Sequence, residues 1–201
     1  MEVKNTRLSY GAVAKTLHWL TALGFLAVYC TIYYARLFEI NGTPEYRMVR
    51  EYHFLAGITV AMIILPRIVW KILSIQPAPE PGPRWQHLSA HTAHWILYLV
   101  MIVMPITGWM VRGGATDYFG FFTVPGFRGS PPYEWLVTGQ LGLTFEQFRD
   151  PIRFFHRDIS GRWFVWSLIM IHAAAALYHH FALRDNTLRK MLLRPKIHGP
   201  G

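Results

Sequence analysis

Ten of the 201 residues are histidine, and most lie in or at the edges of long apolar intervals, where a polar group without a partner is costly. Any one of them is explained by a hydrogen bond to a neighbour or to interfacial water. Their distribution over separate segments asks for more. His18 stands near the start of the first apolar interval and His53 near the start of the second, while His156 opens the last and His172, His179 and His180 follow along it. If successive intervals cross a membrane in alternating directions, these histidines fall at two depths. That suits bis-imidazole ligation of b-type haem, with one neutral imidazole on each side of the iron, each held by a separate rigid helix. Zinc and copper also take histidine, but zinc usually wants four close ligands, often with carboxylate or thiolate, and the apolar intervals offer almost none. His87, His91 and His94 recur at i, i+4 and i+7 along one face of the third interval. They read equally as contacts to a haem propionate or a quinone and as interfacial polar residues.

The composition describes what must position these groups. Apolar and aromatic residues make up 52% of the chain and charged residues 15%, against a usual charged share of about 25%. The single cysteine, Cys30, lies in an apolar stretch, so there is no disulfide framework, and the absence of C-x-x-C-H excludes covalent haem attachment. The polar stretch Met1 to Tyr10 leads into apolar sequence without a small-residue cleavage site, so the first helix is expected to be retained. The intervals predict an all-α integral membrane four-helix bundle of one domain over 1–201, with helices at about 9–36, 48–75, 85–111 and 157–183. The second is short unless Arg67 and Lys71 snorkel to the surface, after which the Pro/Gly cluster Gln76 to Pro83 ends it. The connection, about 112–156, is long for a bundle and rich in aromatics, which argues for an ordered outer cap with a short amphipathic helix near Thr144 to Phe155.

The net charge of +9 follows membrane topology and not a nucleic-acid surface. With the N-terminus inside, Lys4, Arg7, Lys15, Arg67, Lys71, Arg84, Arg184, Arg189, Lys190, Arg194 and Lys196 face the cytoplasm against Glu2, Glu80 and Asp185. That leaves nine of the 20 basic residues and eight of the 11 acids on the other side, so the positive-inside rule places both termini in the cytoplasm. Near the outer histidines, Arg47, Arg50, Arg149, Arg153 and Arg157 either form a basic entrance for an anion or pair with Glu45, Glu51, Asp150 and Asp158.

Leu17-His18-Trp19-Leu20, His53-Phe54-Leu55-Ala56-Gly57 followed by Arg67, His94-x-x-x-Tyr98, Pro105-x-x-Gly108 and the run from His172 through His179-His180-Phe181 to Arg184-Asp185-Asn186-Thr187-Leu188 resemble the bacterial cytochrome b561 family in order over nearly the whole chain. The resemblance implies a multi-pass protein of the bacterial inner membrane with two haem b groups in the bundle. Its best-defined members oxidise superoxide at the outer face and reduce ubiquinone. It assigns His18 and His172 to the cytoplasmic-side haem and His53 and His156 to the outer one, with no ligand on the third helix. In the family the two ligands of the last helix lie 14 residues apart; here the spacing is 16. Sixteen α-helical steps turn His156 about 160° away from His172, so a bulge or a non-helical start near Ser160-Gly161 is expected to re-aim it. His179, about 20° from His172 on the helix and nearer the depth of His18, is a rival for the inner site. No residue stands out as an acid, base or nucleophile inside the bundle. Two other functions compete: a haem b anchor passing electrons between a separate dehydrogenase or hydrogenase and the quinone pool, and a haem-free transporter or scaffold using the histidines for protons.

Overall fold

A computed structural model describes residues 2–193; Arg194 and Lys196, counted above on the inner side, lie outside the described residues. Three long helices open the chain: α1 (Ala12–Phe38), α2 (Pro44–Leu73) and α3 (Arg84–Arg112). Pro44 sits at the first position of α2, where its missing N–H is no loss, and the Thr43 hydroxyl accepts from Tyr46 N at 3.2 Å. As expected, α2 continues through Pro66 and Arg67 to Leu73. Gly113, at φ +73°, turns the chain out of α3.

The fourth apolar helix starts earlier than the apolar pattern suggests, and this corrects both the 157 boundary and the outer connection of 112–156. It is continuous from Phe145 to Phe181: α5 (Phe145–Phe154), a π-helix (Phe155–Phe164) and α6 (Val165–Phe181). The cause is a capping box, in which the Thr144 hydroxyl accepts from Gln147 N and the Gln147 side chain accepts from Thr144 N. The remaining connection is ordered. It carries an antiparallel hairpin, β1 (Thr116–Tyr118) with β2 (Phe122–Val124), a short turn α4 (Pro131–Tyr133) and a π-helix over Glu134–Gln140. Phe127, Tyr133, Val137, Phe145 and Phe148 form a buried cluster beneath it.

The four apolar helices are long enough to cross a bilayer, and only 6 to 17% of each most apolar window is buried within the protein. Side chains such as Leu23, Leu26, Leu65, Val69 and Leu99 are exposed, which lipid tolerates and water does not. The chain is thus a multi-pass, mostly helical membrane protein. Its contacts divide into two compact units. One contains the chain up to Leu23, Met62–Val100 and the chain from Trp166 on; the other contains Gly24–Ala61 and Met101–Val165.

Within the first unit, the two ends of the chain and the connection between α2 and α3 interlock. Asn5 Nδ2 donates to Ile75 O at 2.9 Å, Trp19 Nε1 donates to Met191 O at 2.9 Å, and Lys190 donates to Ala78 O at 2.7 Å while pairing with Glu80. Within the second, Arg112 clamps Glu51 through both carboxylate oxygens at 2.8 and 2.9 Å and stacks over the Phe54 ring, tying the end of α3 to the start of α2 beside His53.

Candidate functional site: two histidine clusters

In the second unit the structure seats His53 and His156 with one ring nitrogen spoken for. His53 Nδ1 lies 3.0 Å from Val28 O. A carbonyl only accepts, so Nδ1 carries the proton and donates, and the Nε2 lone pair is left free. His156 Nδ1 lies 2.9 Å from Thr107 Oγ1. That hydroxyl already reaches back to Val103 O at 2.8 Å, so its hydrogen is used along α3 and its oxygen accepts from His156. His156 therefore also offers Nε2. Gly108 makes room for this: a Cβ there would stand 3.2 Å from His156 Cε1.

A π-helix over Phe155–Phe164 changes the helical rotation summed over the 16 residues from His156 to His172. Each step of the wider turn rotates by roughly 80° where the α-helix rotates by about 100°. Nine such steps and seven α-helical ones return to nearly the starting face, which removes the mismatch expected near Ser160-Gly161. Gly161 permits the wide turn, since a Cβ there would lie 2.7 Å from His156 O. Its carbonyl accepts a hydrogen bond from Tyr29 Oη at 2.9 Å.

The first unit gathers His18, His172 and His94. The His18 and His172 rings are 6.3 Å apart between centroids, and those of His94 and His172 5.7 Å. Arg67 reaches His18 Nδ1 at 3.0 Å. A guanidinium only donates, so that nitrogen accepts and the neutral ring holds its proton on Nε2. His179 is elsewhere engaged, with Nδ1 on Asp185 Oδ2 at 2.5 Å. Burial alone would raise the Asp185 carboxyl, but hydrogen bonds from His179 and Thr187 outweigh it and hold it below the usual carboxylate range. On α3 the three histidines part company. His87 Nε2 is 3.1 Å from Gly82 O, His91 accepts from Trp95 Nε1 at 2.9 Å, and His94 alone meets the His18 and His172 group.

These donor sets fit a planar metal macrocycle. Two imidazoles on opposite sides of a metal, each bonded at about 2 Å, have centroids roughly 6 Å apart, the separation seen for His18 and His172. Binding at His18 Nε2 would take the other neutral tautomer, with the proton on Nδ1 and the Arg67 guanidinium turned off that nitrogen. Gly57, one turn beyond His53, has nothing within 4 Å of where its Cβ would stand, so open space lies against that face of α2. Trp70 Nε1 is buried without a partner in the first unit; an indole only donates, and a propionate carboxylate is an acceptor of the kind it lacks. Among the described residues, no three His, Cys, Asp or Glu side chains are grouped to hold a bare metal ion.

The basic residues resolve individually. Arg149 and Arg153 pair with Asp150, and Arg157 pairs with Asp158. Arg47 donates to Gly42 O at 2.6 Å, and Arg50 lies over the Tyr46 and Phe54 rings. Arg36, which no motif singles out, lies within Coulombic reach of both His53 and His156.

The sequence model of a family described as prokaryotic cytochrome b561 matches residues 9–194. Cytochrome b561 homolog 1 of Escherichia coli K12 is 30% identical over 183 residues, covering 90% of this chain and 94% of that protein. Cytochrome b561 homolog 2 of the same organism is 26% identical over 200 residues, 96% and 95% of the two chains. A protein named probable superoxide oxidase CybB, from Yersinia pestis, is 28% identical over 196 residues, 94% and 98%.

Proposed function

The chain belongs to the prokaryotic cytochrome b561 family, a family of membrane haem proteins, and from that premise we propose that it is a superoxide:ubiquinone oxidoreductase of the bacterial inner membrane. In this reading both termini are cytoplasmic, superoxide gives up its electron at the outer face, and ubiquinone is reduced. His53 and His156 hold one haem b, and His18 and His172 the other. The observation that carries the reading is the pairing of two pre-set Nε2 donors, His53 and His156, with a cationic residue, Arg36, in reach of both. The probable superoxide oxidase among the relatives supports the choice of donor.

The haems, when bound, supply one-electron exchange. The protein's part is to hold and steer. Val28 O and Thr107 Oγ1 fix the tautomer and orientation of their imidazoles, so neither ring must reorganise as charge passes. Arg36 and Arg50 attract a small anion, and their effect falls with added salt because such attraction is screened. The arginines at 149, 153 and 157 contribute less, each having a carboxylate beside it.

Stopped-flow mixing of the oxidised, purified protein with superoxide tests the proposal. Haem reduction is expected, slower as ionic strength rises and slower in Arg36→Gln. Oxidised haem that superoxide leaves unchanged, in a preparation that carries both haems, would exclude it. A dehydrogenase or hydrogenase that co-purifies and reduces the haems instead identifies the membrane-anchor function.

A second expected result concerns Thr107. Thr107→Val keeps the shape of the side chain and deletes the acceptor for His156 Nδ1, leaving a buried N–H unpaired. Loss of such an outer partner typically weakens a metal site about 10- to 100-fold. Titration of apo-protein with haem should show that loss at one of the two sites, and unchanged affinity at both would remove Thr107 from the site.

A further inference from the structure

We propose that His179, oriented by Asp185, is the group that delivers protons to the quinone as it is reduced; this rests on the quinone-reducing half of the function proposed above.

The need is set by stoichiometry. Two superoxide anions each lose one electron and leave as two O₂, and one quinone takes up those two electrons and two protons to become a quinol. Superoxide brings no proton, so both must reach the quinone oxygens from water through the protein. Each delivery breaks an N–H bond on an imidazole and forms an O–H bond on the quinone, and the ring is then reprotonated from the aqueous phase.

His179 has the geometry for this exchange. Its Nδ1 faces Asp185 Oδ2 at 2.5 Å, and the carboxylate is held in place by Thr187 N on Oδ1 at 2.8 Å. Since a carboxylate only accepts, Nδ1 keeps its proton, and Nε2 is the nitrogen at which a proton is gained or given up. Nε2 has no hydrogen bond among the described residues and is not among the atoms buried without a partner. Side-chain exposures of 26% for His179 and 16% for Asp185 put the pair half in protein and half within reach of water. An ionised Asp185 compensates the extra charge when the ring holds two protons.

Neighbouring groups leave this exchange to the imidazole. Tyr178 stands edge-on to the His179 ring, Thr187 Oγ1 lies 3.4 Å from Nδ1, and Lys190 is drawn to Glu80. Among the described residues of this unit the two charged pairs are His179 with Asp185 and Lys190 with Glu80. Of these, the imidazole is the group with a second nitrogen, Nε2, that can take and give up a proton while Nδ1 stays bonded to its carboxylate. The His172 ring lies between those of His18 and His94, tilted to the first and edge-on to the second, and His18 and His172 are assigned above to a haem.

The test uses the full-length holoprotein in detergent, reduced chemically and then mixed with ubiquinone-1 while haem reoxidation is followed across pH. Wild type is expected to slow as pH rises and the imidazole loses its proton. Asp185→Asn should move that decline to lower pH, because the ring has lost its counter-charge. His179→Gln keeps a donor for Asp185 but cannot deliver a proton; it should slow reoxidation on the order of 10²-fold, lose the pH dependence, and recover in part with added imidazole buffer. A His179→Gln protein with wild-type rate and pH profile overturns the proposal and leaves the pair as a cap for α6. If that variant fails to bind haem, the pH profile of Asp185→Asn decides alone, an unshifted decline overturning it. Wild-type haems that ubiquinone-1 fails to reoxidise overturn the quinone-reducing function itself, a separate outcome.

Discussion

His156→Ala is expected to abolish the low-spin signal of the haem held with His53, either by loss of that haem or by conversion to a high-spin form, with the other haem retained. A buried iron with His53 on one side needs a second strong ligand to stay low-spin, and on α5 and the π-helix that follows, His156 is the one histidine. The side chain is held from two directions, by Thr107 Oγ1 at 2.9 Å and by the flat surface Gly108 leaves on α3. Among the described residues of α5 and the π-helix no second imidazole is there to replace it. Haem content should fall from about two per chain toward about one, read by pyridine haemochrome assay, and electron paramagnetic resonance should lose one of two low-spin species. Electron entry from superoxide should fail with it, because Arg36 and Arg50 then attract the anion to a site with no acceptor. Two surviving low-spin haems would point to another donor; Met104, whose Cε comes within 3.9 Å of a Cβ at position 161, is the first candidate.

Part of the His156 site is legible in the amino-acid sequence, and part is not. Four spans follow from hydropathy and length alone, since the bilayer imposes both. The angular misfit of 16 residues points to a bulge at Ser160-Gly161, and a π-helix over Phe155–Phe164 lies there. It is readable because helical rotation is additive along the chain. The early start of the fourth helix is also written locally, in Thr144-x-x-Gln147, but the charge and proline of Glu146, Asp150 and Pro151 mask it. The second ligand-holding layer is not readable. Val28 and Thr107 matter only because α1 and α3 are placed beside the two histidines, and no spacing within one helix reports that. The same holds for the arginines. Pairing of Arg149, Arg153 and Arg157 with neighbouring acids is local, so the sequence already holds it as one of two alternatives. The clamp of Arg112 on Glu51, 61 residues away, is tertiary, and so is the approach of Arg36.

At the His18 cluster the choice between two histidines leads to the second large effect. His172→Ala is expected to remove the haem shared with His18, while His179→Ala should keep both haems. On an ideal helix the two residues differ by about 20° in direction, so direction cannot choose between them, and depth alone slightly favours His179. What separates them is occupation. His179 Nδ1 is taken by Asp185, and Asp185 in turn closes the end of α6 through its own N–H to His179 O at 3.1 Å; swinging the ring toward His18 would break its link to the carboxylate. The His172 ring has no such tie and already stands 6.3 Å from that of His18. His18→Ala should give the same product as His172→Ala, since either change would leave that haem with one of the two imidazoles proposed to hold it. His94 is the control, because its ring is 5.7 Å from His172. His94→Ala should keep both haems if it only packs against the ligand, with the spectrum of one of them perturbed. The reverse pattern, in which His179→Ala lowers haem content and His172→Ala does not, would require the helix end to unwind when haem binds and would transfer the ligand role to His179.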